Sequence, residues 1–272
     1  MKRAAIRSLI SILLLVVAGW VQGADGQGAD GQASARQASG AQEAAQSEPD
    51  AVALLRKIDE LYRSDSSHAT MTMEIVTPNW QRTMALEAWT RGMEDTFIRV
   101  LSPKKDRGVA TLKIDREMWN YFPKINKVIK VPPSMMMGAW MGSDFTNDDL
   151  VREVSLVEEY HVTLQEADAL HVLTLIPKTQ TVTVWARIVI RVSRDKLLPV
   201  DQTYFNEQGE RVRVMTFAEN KTFSGREMPS VMTMTPLNKD GHKTVVRYQS
   251  LTLDVPVEDD IFTLRNLQKR FR

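Results

Sequence analysis

The chain has 272 residues, 35 basic and 34 acidic side chains, a formal net charge of +1, 43% hydrophobic residues and no cysteine. The near balance of charge gives no electrostatic case for binding nucleic acid, and the lack of cysteine excludes disulfides, a thiol nucleophile and a lipid-modified cysteine. A chain of this length can stabilise itself through its core alone, so we expect one large domain.

The first residues have the pattern of a secretory signal peptide. Lys2, Arg3 and Arg7 precede an apolar run at residues 9–18 that is too short to span a bilayer comfortably, and cleavage is expected after Gly23. Cleavage there removes three basic and no acidic residues, which leaves 32 minus 34, or −2. The mature chain is therefore expected to be soluble and exported.

Residues 24–48 contain almost nothing large and apolar and cannot bury a core, so they are predicted to be a flexible linker. The folded domain is then residues 49–272. It begins with a predicted amphipathic helix at residues 51–63, where apolar side chains recur at helical spacing. These side chains are Val52, Leu55, Ile58, Leu61 and Tyr62.

From Thr70 onward the apolar period changes to two, which is typical of strands. Predicted strands cover residues 70–77, 81–90, 96–101, 108–114, 117–122 and 125–131, then 160–167, 170–177, 181–193, 199–205, 211–219, 228–235 and 244–253. A short helix capped by Thr146 lies between the two groups. Closely spaced strands of this kind predict a long antiparallel meander with one face covered, and the leading helix is its natural cover.

Residues 131–149 interrupt the strands with a methionine-rich segment. Pro132 and Pro133 cannot continue a strand ladder, and Ser134 is placed to cap a short helical turn. That turn carries more apolar surface than one side of a short helix needs, in Met135, Met136, Met137, Trp140 and Met141. Two hypotheses follow with equal weight: a movable apolar lid whose methionines adapt to partners, or a crossover loop that plugs the core.

The first half of the domain holds more large apolar side chains than a sheet covered on one face requires. They are Met71, Met73, Met84, Trp89, Met118, Trp119 and Phe122. Each alone is more often ordinary core. Together, beneath a helix and a methionine-rich lid, they predict an apolar ligand-binding cavity lined by these residues and by the lid.

No pattern for catalysis, metal binding or a cofactor stands out. The four histidines have no metal-ligand spacing, and the acids at residues 144–149 are better explained by helix capping than by a cation loop. Ser102 and Lys105 match a serine acylase motif only formally, because its partner motifs are missing. We therefore expect no catalytic residue, no metal and no cofactor, and we expect that the protein is not an enzyme.

Several strings of the mature chain resemble the LolA/LolB-like periplasmic carrier superfamily, and in particular its "outer membrane lipoprotein-sorting protein" branch. The strings are MEIV at 73–76, Trp80, SPKKDRG at 102–108, MWNYFP at 118–123, VIKVPPSMM at 128–136 and WMGSDFTNDDL at 140–150. The order of elements, with an export signal, a helix, a meander and a Met/Trp-rich insertion halfway, is also similar.

This resemblance implies a mainly β fold with helices (α+β). The strongly curved antiparallel sheet forms an incomplete barrel, covered by the N-terminal helix and a Met/Trp-rich helical lid. It also implies a periplasmic protein that shelters acyl chains of a lipid or lipoprotein and carries them between envelope membranes. The implied partners are an inner-membrane transporter of the resistance-nodulation-division (RND) type and an outer-membrane acceptor. A non-carrying accessory subunit of such a transporter is the alternative. The family's cavity arginine corresponds by spacing to Arg82, Arg91 or Arg99.

Overall fold

The structure is a computed structural model that describes residues 50–151 and 155–269. The signal peptide predicted at residues 1–23 and the linker predicted at residues 24–48 lie outside the described residues. Within the described ranges, no helix is both long enough and apolar enough to cross a membrane.

The described chain is mainly strand, as the alternating patterns predict. The strands of the first half are β1 (Ser66–Val76), β2 (Gln81–Arg91), β3 (Asp95–Ser102), β4 (Ala110–Ile114), β5 (Glu117–Phe122) and β6 (Lys127–Lys130). Those of the second half are β7 (Tyr160–Ala167), β8 (Leu170–Pro177), β9 (Arg187–Ser193), β10 (Pro199–Phe205), β11 (Arg211–Phe223), β12 (Arg226–Pro236) and β13 (Lys243–Leu253). The helices are α1 (Ala51–Asp59), α2 (Asn147–Val151), α3 (Leu156–Glu159) and α4 (Leu264–Leu267), with 3₁₀ turns at Pro133–Met135, Trp140–Gly142 and Asp259–Phe262.

All thirteen strands form one antiparallel sheet in the order β6-β5-β4-β3-β2-β1-β13-β12-β11-β10-β9-β8-β7. Strand β1 pairs with β13, which joins the two halves of the sheet. Strands β6 and β7 remain as the two free edges, so the barrel is incomplete. The predicted curved, open antiparallel sheet is confirmed. Because β6 and β7 are consecutive in the chain, the segment between them must run from one sheet edge to the other.

Strands β3, β4 and β5 bury side chains on both faces, whereas β1 and β2 bury them on one face. Met73, Met84, Ile98 and Met118 belong to one core cluster, and this side of β1–β5 is called the inner face below. Phe97 is fully buried on the opposite side, the outer face. Ala110, Leu112 and Tyr121 join it there, and Phe262 and Leu267 of the C-terminal segment cover them. No pattern in the sequence indicated that C-terminal cover.

The N-terminal helix covers the other half of the sheet. Leu54 and Leu55 of α1 pack with Tyr160, Ile188 and Ile190 from β7 and β9. The Asp50 side chain caps the helix by accepting from the Val52 N–H at 3.0 Å. The predicted cover is therefore confirmed, but it spares the inner face of β1–β5 for the segment that follows β6.

Helix α1 is four residues shorter than the predicted range of 51–63. The carbonyl oxygens of Glu60, Leu61 and Arg63 accept hydrogen bonds from the Arg226 guanidinium of β12. A distant arginine thus supplies hydrogen bonds that these carbonyl groups would otherwise accept from a further turn of helix. Periodicity alone does not reveal this partner.

The strand predicted at residues 181–193 is wrong in its first half, because β9 begins only at Arg187. Its partner β8 pairs with β9 no further than Leu175 with Ile188, so residues 181–186 have no ladder to join. Val182 is 95% exposed, whereas Trp185 turns inward and is buried. The alternation at 181–186 was a local pattern without a partner strand.

Candidate functional site

A cavity of about 310 Å³ opens at the end of the sheet where the β3–β4 and β5–β6 turns meet. Its wall is apolar and combines strand, turn and insertion residues: Met84, Val100, Val109, Phe122 and Met141. Its rim carries Arg82, Lys105, Asp106 and Lys124. The site therefore combines an apolar interior with a charged entrance, an arrangement that suits an amphiphilic ligand.

The segment at residues 131–149, called the lid segment below, crosses the inner face between the two sheet edges. As predicted, the chain leaves the sheet at Val131, whose N–H makes a last bond to the Met118 carbonyl at 2.8 Å. The first 3₁₀ turn starts at Pro133 with no side-chain cap, so the predicted capping role of Ser134 is wrong. Proline at the first turn needs no donor there, which makes the cap dispensable.

Trp140 is the inward anchor of the lid segment. It is 4% exposed and packs in the inner-face cluster with Met73, Met84 and Met118. Its indole N–H donates to the Thr111 hydroxyl of β4 at 3.1 Å, so its one polar group is satisfied inside the core. Trp140 thereby fills the space beneath the lid segment.

The methionines of the lid segment divide into two pairs. Met136 and Met141 pack against the inner-face cluster beside Trp140. Met135 and Met137 are 60% and 45% exposed. The segment thus presents apolar surface both to the sheet and to the outside, which a simple plug does not need.

Polar contacts hold the lid segment at two points along the sheet. The Arg82 guanidinium of β2 donates to the carbonyl oxygen of Met141. The N–H of Asp144 donates to the Thr244 hydroxyl of β13 at 2.9 Å, and that hydroxyl donates to the Asp144 carboxylate at 2.7 Å. The segment is latched by a few discrete bonds and not by a continuous strand ladder.

A third contact fixes the point where the lid segment enters α2. The Asp149 carboxylate accepts two bonds from Arg213 of β11, at 2.8 and 2.7 Å. The guanidinium lies over the rings of Trp185 and Tyr204, at 4.6 and 4.2 Å from their centroids. Thr146 caps the helix through its hydroxyl, which accepts from the Asp149 N–H at 3.1 Å, as predicted.

This ion pair is charged in the folded protein. Burial alone raises the pKa of Asp149, but the hydrogen bonds and charge of Arg213 outweigh it and hold that pKa below its ordinary value. Burial likewise opposes the charge of Arg213, yet the bonds to Asp149 raise the pKa of the guanidinium. A bidentate ion pair whose guanidinium also lies over two neighbouring rings holds the end of the lid segment firmly.

The three candidates for the cavity arginine lie in different parts of the structure. Arg82 lines the cavity and bonds to the lid segment. Arg91 pairs with Asp95 and Asp259 near the C-terminal segment. Arg99 donates to the carbonyl oxygen of Asn266 at 2.9 Å on the outer face. Arg82 is therefore the arginine that the fold places between cavity and lid.

The predicted lining residues are brought together only in part. Met84, Phe122 and Met141 line the cavity, and Met73 and Met118 lie on the inner face beneath the lid segment. Met71 packs at the border of the inner-face cluster and a neighbouring one.

The cavity does not include Trp89 or Trp119. Both pack against the outer-face cluster with Phe97, because strand alternation points their neighbours Ala88 and Met118 inward. The lining role predicted for these two tryptophans is corrected accordingly.

The charged rim was not predicted, because charged residues in a turn between two strands, such as Lys104 and Lys105, are ordinarily only exposed to solvent. Within residues 50–151 and 155–269, no group of three or more His, Asp or Glu side chains is placed to hold a metal ion.

A family model described as "Uncharacterized protein" matches residues 92–269. None of the curated proteins compared by sequence matches the chain. The match includes the lid segment, the strands from β3 to β13 and the rim residues Lys105, Asp106 and Lys124, but not Arg82.

Among the solved structures that match this chain, three share the fold with 80% of this chain covered. A DUF1329 family protein from Desulfovibrio piger has a TM-score of 0.72 at 21% identity, with 97% of that chain covered. A putative outer membrane lipoprotein-sorting protein domain from Vibrio parahaemolyticus gives 0.68 at 19% identity and 98% coverage. A LolA superfamily protein from Nitrosomonas europaea gives 0.66 at 20% identity and 100% coverage. The predicted resemblance is thus confirmed at the level of the fold.

Proposed function

Because the chain belongs to the family whose model matches residues 92–269 and has the fold of the LolA superfamily, we propose that it is a periplasmic carrier. It shelters the acyl chains of a lipid or lipoprotein between the sheet and the lid segment and shuttles them between envelope membranes. The observation that carries this proposal is the apolar cavity closed on one side by a latched, partly exposed methionine-rich segment.

The size of the cavity makes movement of the lid segment part of the proposal. About 310 Å³ lies at the lower end of the roughly 300–1,000 Å³ typical of small-molecule pockets. A cavity of this volume can accommodate only a small part of a lipid while Trp140 is in place. Withdrawal of Trp140 would expose the inner-face methionines and provide the remaining apolar wall.

The energetics of acyl binding fit a carrier that uses no nucleotide. Each methylene removed from water contributes about 0.8 kcal/mol, so roughly ten buried methylenes give about 8 kcal/mol before the costs of binding. Release of the acyl chain then requires a membrane or a second protein that offers a competing apolar environment. We propose that an RND-type inner-membrane transporter loads or unloads the carrier and that an outer-membrane acceptor is the other end of the route.

The proposal also includes the domain organisation: a signal peptide at 1–23, a flexible linker at 24–48 and the carrier domain at 49–272. Its activity is binding and transfer, without catalysis, metal or cofactor. Fractionation of cells is expected to recover a processed form in the periplasm that begins near Ala24. An unprocessed membrane-embedded species would contradict this part.

The direct test is uptake of a fluorescent fatty acid or phospholipid by the purified protein. Saturable binding at about one site, competed by lipids extracted from the envelope, is expected. Absence of binding with every acyl probe would refute the carrier proposal.

One observation favours a second function. Trp140 is buried to 4% exposure and hydrogen-bonded within the core, as expected of a plug that never leaves. In that case the protein is a non-carrying accessory subunit of the transporter, and it should bind the transporter but no lipid.

A further inference from the structure

We propose that the ligand of this cavity is an anionic amphiphile, whose acidic headgroup lies against Arg82, Lys105 and Lys124 while its chain enters the apolar wall. The inference rests on the proposed carrier function and adds the chemical class of the cargo. It depends on the charges at the rim, which the carrier function alone does not require.

The rim is cationic although the chain as a whole is nearly neutral. Three cations and one anion line the cavity, a local balance of 3 minus 1, or +2. The cations come from three separate elements: Arg82 from β2, Lys105 from the β3–β4 turn and Lys124 from the β5–β6 turn. Convergence of three elements on one entrance is a feature of the fold and not of a single basic run.

Two polar atoms of the rim side chains are shielded from solvent and make no hydrogen bond. In the part of the chain that the structure describes, Arg82 Nε and Asp106 Oδ2 have no hydrogen-bond partner. The two side chains form a long ion pair, with 4.0 Å between Arg82 Nη1 and Asp106 Oδ2, which is too long for a hydrogen bond. A buried donor and a buried acceptor without hydrogen bonds cost free energy, so a polar headgroup that draws these two side chains toward it can gain hydrogen bonds here.

A headgroup with acidic oxygens and a hydroxyl matches these atoms. Its oxygens accept from Arg82 and lie near the two lysines, and its hydroxyl donates to Asp106. The apolar wall of Met84, Val100, Val109, Phe122 and Met141 then takes the adjoining part of the chain. A free inorganic anion uses only the rim, so it leaves this wall without a partner.

The test compares three probes with one pyrene-labelled chain: the fatty acid, the corresponding alcohol and the corresponding amine. Binding to the full protein is measured at low and high salt. We expect the acid to bind most tightly and the amine most weakly, and high salt to shrink the difference because it screens exposed charges.

The variant for this test is Lys105→Gln with Lys124→Gln, matched by Lys221→Gln with Lys269→Gln, whose lysines are exposed and do not line the cavity. An exposed ion pair changes an equilibrium constant by roughly 1.4- to 5-fold, so the rim variant should bind the acid about 2- to 25-fold more weakly. Its affinity for the alcohol should stay unchanged. The control variant should behave like the parent with all three probes.

Each other result overturns the inference. Equal binding of acid, alcohol and amine leaves the carrier function standing but removes the anionic headgroup. Failure of all three probes to bind overturns both proposals. Displacement of the acid by inorganic phosphate alone assigns the rim to a free anion. If the rim variant binds the acid normally but loses sedimentation with anionic phospholipid vesicles, the lysines serve a membrane surface and not the cargo.

Discussion

Replacing Trp140 by alanine distinguishes a lid from a permanent plug. The side chain is 4% exposed, packs with Met73, Met84 and Met118, and donates to the Thr111 hydroxyl. Truncation of a buried tryptophan costs about 3–5 kcal/mol. For a domain of this size each kcal/mol lowers Tm by roughly 2–4 °C, so a plug should lose about 6–20 °C.

If the segment is a lid, the variant loses less stability, because the native ensemble of the parent already includes an open state. If opening costs the parent about 2 kcal/mol, the variant occupies the open state and its global stability falls by only that amount, or roughly 4–8 °C. The fraction of open molecules rises from about 3% to nearly all. Association of an acyl probe should therefore accelerate about 30-fold.

The assay combines thermal unfolding with stopped-flow uptake of a fluorescent fatty acid. Phe97→Ala is the matched control, because Phe97 is fully buried but lies on the outer face away from the lid segment. It should lose stability without faster uptake. The lid account is wrong if Trp140→Ala unfolds as early as Phe97→Ala and takes up the probe at the parent's rate.

Three further variants test individual features of the lid segment. Arg82→Met removes the bond to the Met141 carbonyl, and it should raise the probe's dissociation rate about tenfold or more in competition with vesicles; an unchanged rate would rule out this latch. Asp149→Asn leaves Arg213 buried without its counter-charge and should cost about 3–5 kcal/mol in urea unfolding. The pKa of Asp149 is lowered in the folded protein, so the difference in unfolding free energy between parent and variant is fully present above the unfolded pKa of about 3.9 and shrinks as the pH falls below it. A difference that stays constant down to the acid transition would contradict the charged pair. Met135→Ser with Met137→Ser should change unfolding by only about 0.5 kcal/mol, since both are exposed, yet slow lipid transfer to acceptor membranes; unaltered transfer would show that their exposure is incidental.

Much of the sheet was predictable because turn residues bracket clear alternation. Strands β5, β7, β8 and β10 begin and end at the predicted residues. The error at residues 181–186 has a non-local cause, since an alternating stretch becomes a strand only if a partner strand extends beside it. The C-terminal turn at Asp259–Phe262 and the four-residue helix after it are too short to give a periodic signal.

The site was harder to predict because strands β3, β4 and β5 are buried on both faces. In β5, Met118 and Trp119 are both apolar, and the sequence does not tell which of them faces the lid segment. The choice among Arg82, Arg91 and Arg99 depended on where the segment crosses. That path follows from the pairing of β1 with β13, which leaves β6 and β7 as edges, and no local pattern encodes that pairing.

The most direct test of the central claim is to lock the lid segment shut. The chain has no cysteine, so Asp144→Cys with Thr244→Cys introduces a single pair at side chains that already touch, with 2.7 Å between their oxygens. The measurement is exchange of a fluorescent acyl probe before and after reduction. The account predicts that the oxidised protein neither takes up nor releases the probe and that reduction restores exchange. Equal exchange in both redox states, with the disulfide verified by mass spectrometry, would contradict a lid that must open for cargo.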